Sequence, residues 1–121
     1  MGEAILVPSL PIDSSSGNVK TFTYTGNGPV YSGTYSVTLR ELDLGVTPKS
    51  VTVLGYGMGG NYGGFTGAVM QGASHNGPSN VPYIRLSGSK LYVCSWTYTA
   101  NAGFYFYANT PDVVYVLLIT V

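Results

Sequence analysis

The stretch GFYFYANTPDVVYVLLIT, Gly103 to Thr120, decides the fold. In its first half the period is two: Phe104, Phe106 and Ala108 fall on one side of an extended chain, Tyr105 and Tyr107 on the other. One set packs into a core and the other meets solvent or a partner. In its second half Val113, Val114, Tyr115, Val116, Leu117, Leu118 and Ile119 leave no polar face. Such a strand is central in its sheet and covered on both sides, by its own domain or by a neighbouring subunit. Between the halves, Asn109-Thr110-Pro111-Asp112 turns the chain.

The same grammar of Val, Thr, Tyr and Phe runs punctuated by Gly, Pro, Asn and Ser extends upstream. It predicts strands at 20–25, 34–42, 50–56, 64–71, 81–86, 90–96, 103–109 and 113–120, with no helix. In the second of these, Tyr35, Val37 and Leu39 alternate with Ser36, Thr38 and Arg40. About eight strands in one domain predict an all-β, two-sheet antiparallel β-sandwich, jelly-roll-like, over residues 19–121. Residues 1–18, with Pro8, Pro11 and the run Asp13-Ser14-Ser15-Ser16-Gly17-Asn18, read as an extended N-terminal arm or linker.

Composition narrows the function. Of 121 residues only 8 % are charged, 45 % are hydrophobic, and the formal charge is zero. Neutral residues and many of the eleven tyrosines must then cover the outside, and little repulsion separates copies, so a homo-oligomer is expected. Lys20, Arg40, Lys49, Arg85 and Lys90 are scattered singly, which leaves no basic stripe for nucleic acid. The single cysteine, Cys94, forms no intrachain disulfide and reads as a small apolar strand residue. In MGEAILVPSLP, Glu3 stands where a signal peptide needs positive charge, and AILV is too short for its apolar region. The apolar run Val113 to Val121 is about half of a membrane helix, so no membrane insertion is expected.

Catalytic and cofactor motifs are weak. GYGMGG, Gly55 to Gly60, fits the dinucleotide spacing G-x-G-x-x-G, but it runs into NYGGFTG, which cannot start a helix. The next acidic residue is Asp112. No phosphate-loop ending follows either. His75 is the sole histidine, so no zinc cage can be drawn from His and Cys, and no nucleophile elbow frames a serine. Glu41 and Asp43 read as solvated charges at a strand end rather than a glycosidase pair. The reading is a protein that is not an enzyme and holds no cofactor or metal. What remains is aromatic: more rings than a core of this size holds. Tyr, Asn, Ser and Gly in loops make an adaptable, uncharged recognition surface, or the tyrosines brace neighbouring sheets and subunits. The recognition residues assigned are Tyr56, Asn61, Tyr62, His75 and Asn76, all from the long irregular region between Gly55 and Pro82.

Two segments carry a family resemblance. LDLGVTPKSVTVLG (42–55) resembles the LGF-x-PK-x-V-x-V element, and NAGFYFYANTPDVVYVLL (101–118) the N-x-x-G-x-x-Y-x-Y-x-A strand, of receptor-binding or tip domains of bacteriophage tail fibres and related virion proteins. Val46 stands where an aromatic is usual, and MGEAILV looks like the start of small virion proteins. The resemblance implies a β-sandwich, assembly with the trimer favoured, and loops that bind a host-surface glycan without chemistry. The protein would then belong to the virion, made in the bacterial cytoplasm without a signal peptide, with its arm docking onto other virion proteins. The alternative is a structural virion protein, a capsid decoration or tail and baseplate subunit, whose tyrosine-rich faces contact neighbouring subunits.

Overall fold

The computed structural model describes residues 18–60, 62, 64–98 and 103–121. The arm, apart from Asn18, lies outside them. Twelve strands and one 3-10 turn, Pro78–Asn80, occur among the described residues. The chain is all-β, as the alternation predicts, and nearly every strand pair is antiparallel.

Three four-stranded sheets surround one core. The first orders β1 (Val19–Thr25), β12 (Val114–Thr120), β4 (Ser50–Leu54) and β6 (Ala68–Met70). The second orders β2 (Val30–Ser32), β10 (Ser95–Tyr98), β11 (Phe104–Tyr107) and β5 (Gly57–Gly59), with β2 and β10 parallel. The third orders β3 (Arg40–Asp43), β9 (Lys90–Val93), β8 (Pro82–Ser87) and β7 (Ser74–Asn76). Their inward side chains form a single cluster in which Trp96, Tyr83, Phe104, Phe106 and Tyr115 are the largest fully buried members. Burying each such side chain contributes about 1.5–3 kcal/mol, so the aromatic layer carries much of the stability.

The third sheet arises because KLYVCSW is not one strand. The ladder breaks at Cys94, so the chain leaves the third sheet as β9 and enters the second as β10. A sandwich turns its corners at such bends. Cys94 is 1 % exposed, its thiol donates to the Tyr83 carbonyl at 3.6 Å, and burial pushes its pKa up to about 12. It packs as the small apolar residue expected.

The alternation of 34–42 is real, but only Arg40–Asp43 pairs as strand. The Trp96 indole N–H donates to the Thr34 carbonyl and the Tyr35 ring rests 4.6 Å from that of Tyr98, so tertiary contacts hold this segment. The three-residue strands β2, β5 and β7 are too short to show any period. β12 is central as predicted, yet Tyr115, Leu117 and Ile119 are buried while Val114 is 57 % exposed. Among the described residues only one of its faces is covered.

The turn after β11 ties two sheets together. Asn109 is buried; its Oδ1 accepts from the Asn27 N–H at 3.1 Å and the Arg40 guanidinium at 2.9 Å, and its Nδ2 donates to the Gly28 carbonyl at 3.1 Å. On one side of that turn the Tyr24 hydroxyl donates to the Ala108 carbonyl at 2.8 Å. On the other, the Tyr115 hydroxyl accepts from the Thr110 N–H at 3.0 Å. The Tyr24 and Tyr115 rings themselves stack at 5.2 Å. There is no space for a side chain at Gly26: a Cβ there would meet the Thr110 carbonyl oxygen at 2.0 Å.

Candidate functional site

Where β4 ends at Leu54, the GYGMGG segment turns back as β5 and joins the edge of the second sheet beside β11. The glycines of this segment continue into a strand, and among the described residues the next element is β6 rather than a helix. Gly57 and Gly59 pair with Tyr107 and Tyr105, whose rings stack on each other at 5.0 Å and 24°. A Cβ at Gly59 would lie 2.4 Å from the Tyr105 ring. The bare backbone is what lets this ring lie flat across the edge strand, an aromatic ring covering a cross-strand glycine.

Beside this strand opens a cleft of about 810 Å³, lined by Tyr56, Met58, Tyr62 and Phe65 with Gly59, Gly60 and Gly64. None of these residues is charged. The ring of Tyr56 meets Phe65 edge-on at 5.0 Å and Phe106 in a stack at 6.0 Å, and Tyr62 stands edge-on to Phe104 at 5.7 Å. The two cleft tyrosines are therefore anchored on successive inward positions of β11. Each such ring pair contributes about 0.5–1.5 kcal/mol beyond burial, which favours these ring orientations. Phe65 is itself buried against Tyr83 and Phe106.

The five residues assigned from sequence separate. Tyr56 and Tyr62 come together in the cleft. Asn61 lies outside the described residues. His75, on β7, packs behind the cleft, with its ring 5.1 Å from Phe65 and 6.3 Å from Tyr83. Partial burial there lowers its pKa, so the imidazole is neutral at pH 7. Asn76 is exposed on the same strand, at an irregularity opposite Pro82. Sequence reasoning missed Phe65, Met58 and the Gly59–Tyr105 pairing. The available signal was the alternation Gly57, Gly59 on one strand against Tyr105, Tyr107 on another, which becomes legible only once the register is known.

Beneath the cleft lies Tyr83, fully buried, whose hydroxyl has no hydrogen-bond partner among the described residues. Burial first and the nearby Tyr56 second push its pKa up to about 12. A second hollow, of about 240 Å³, opens beside Arg40, Tyr31 and Asn109. Its guanidinium is engaged in the framework, donating to the Thr25 carbonyl at 2.8 Å and to Asn109. No group of three or more His, Cys, Asp or Glu suited to a metal occurs among the described residues.

Chemically the cleft offers aromatic faces, phenolic hydroxyls and backbone groups. That set matches a neutral ligand with apolar ring faces and many hydroxyls. No family model, no curated protein and no solved structure matches this chain.

Proposed function

We propose that this chain is a non-enzymatic recognition domain that binds a neutral glycan in the Tyr56–Tyr62–Phe65 cleft, as the receptor-binding module of a bacteriophage tail fibre or tail tip. The observation that carries the reading is the uncharged cleft in which two tyrosine rings pack against the core aromatics beneath them. Pyranose rings present flat C–H faces that stack on such rings, and their hydroxyls exchange hydrogen bonds with the phenols. Pre-set rings lower the ordering cost of binding. A site this open binds weakly, with a Kd on the order of a millimolar. Several copies in a homo-oligomer then bind a cell surface together and multiply that affinity.

The viral setting rests on the resemblance of residues 42–55 and 101–118, and the glycan on the cleft, so the two parts stand separately. A glycan array probed with the purified chain tests the second. Binding to a restricted set of neutral glycans, lost in Tyr56→Ala plus Tyr62→Ala, is the expected result. Binding that survives the double substitution in a folded protein removes the cleft from the account.

A further inference from the structure

The register of the first sheet sorts its side chains to two sides, with Phe22 half-buried and Lys20 exposed on the inward side of edge strand β1. Tyr24, Val51, Val53, Val69, Tyr115, Leu117 and Ile119 point inward and are buried. Thirteen positions point outward, and none carries a charge: seven are apolar and six are Ser or Thr. Val19, Leu54, Met70 and Val114 among them are 41 %, 45 %, 60 % and 57 % exposed, which is half of the eight exposed large hydrophobics among the described residues. Val116 and Leu118 lie between them on the central strand. The third sheet is the opposite case. Five of the eight described charged residues, Arg40, Glu41, Asp43, Arg85 and Lys90, sit on its strands. Two outward contacts there are the Glu41–Lys90 ion pair at 2.7 Å and Arg85 over the Tyr92 ring at 4.4 Å. Four of these five, Glu41, Asp43, Arg85 and Lys90, lie on the outward side of the third sheet, while the outer side of the first carries no charge.

We infer that the outer face of the first sheet is where two copies of this chain meet, each presenting the same face. The inference rests on the oligomeric part of the function proposed above and not on the glycan. Charge selects the occupant: a charged partner would lose hydration against this face with nothing to pair it, whereas the face of a second copy is neutral in the same way. Size agrees. Four strands about 4.8 Å apart and up to seven residues at about 3.3 Å give a face roughly 20 Å on a side. That is about 400 Å² in projection, within the ~300–600 Å² of the largest apolar patch on an ordinary monomer, and side-chain relief brings it toward the ~800 Å² per partner of a standard interface. Twisted sheets pack face to face about 10 Å apart in pairs, and two such faces close on a two-fold axis. Two such faces cover each other completely in one contact, so the assembly expected from this surface is a dimer where the resemblance implies a trimer.

Sedimentation equilibrium of the full chain over a concentration series tests it. The wild type sediments at twice the chain mass. Val114→Lys and Leu54→Lys, both at exposed outward positions, raise the dissociation constant by about a hundredfold or more through like-charge apposition, with unchanged circular dichroism. Val30→Lys, equally exposed on the second sheet, leaves the mass at two chains, as does the cleft double variant Tyr56→Ala plus Tyr62→Ala. A wild-type mass of one chain, which would leave the face to residues 1–17 or to another protein, overturns the inference. So does a mass of three chains, or a dimer that both lysine variants leave intact.

Discussion

At the residue scale two buried tyrosines make opposite predictions. The Tyr24 hydroxyl donates to the Ala108 carbonyl, so Tyr24→Phe leaves a buried carbonyl short of its donor and lowers stability by about 1 kcal/mol. The Tyr83 hydroxyl has no such partner among the described residues, and Tyr83→Phe removes a desolvated polar group. Its stability is equal to the wild type or higher; urea unfolding of the two variants side by side checks the difference in sign. His75 supplies a pH signature. Its folded pKa lies below the ordinary value because Phe65 and Tyr83 partly bury the ring, so the unfolded chain binds the proton first. The contribution is fully present above about pH 6.5 and is lost as pH falls through the folded pKa. Thermal melts between pH 7 and 5 should therefore fall for the wild type and flatten for His75→Phe, which keeps the packing without the proton.

At the element scale, legibility followed strand length. β1, β8 and β12 carry six or seven residues each, enough for alternation to show, and the sequence places them within one or two residues. β2, β5 and β7 have three residues each and owe their pairing to neighbours rather than to any pattern of their own. The same cause explains the candidate site. Tyr56 and Tyr62 stand out as loop aromatics, but Phe65 joins them through ring contacts with Tyr56, Phe106 and Tyr83, and His75 is drawn inward by Phe65 and Tyr83. Gly59 is the element-level test, because its bare Cα supports the Tyr105 ring. Gly59→Ala places a methyl 2.4 Å from that ring, which must swing away from β5. A loss of up to about 1 kcal/mol and a displaced Tyr105 resonance are expected. At the turn after β11, Asn109→Ala strands the Asn27 N–H, the Gly28 carbonyl and an Arg40 donor, and costs about 2–4 kcal/mol.

At the scale of the whole molecule the three sheets divide the surface by chemistry: charge on the third, tyrosine and glycine on the second, neutral apolar side chains on the first. Low overall charge was plain from composition, but its concentration on one face depends on which strands pair, and the break at Cys94 that creates the third sheet has no mark in the run KLYVCSW. The proposed function places a neutral glycan, bound without being changed, in the tyrosine cleft at the β5 edge. The most direct measurement is a titration of the ¹⁵N-labelled chain with the strongest glycan from the array, followed by amide chemical shifts and by the integrity of the sugar. Shifts centred on Tyr56, Met58, Tyr62 and Phe65 and a glycan recovered intact are the expected result. Shifts centred on the Arg40 hollow or the third sheet, or a cleaved glycan, would contradict it.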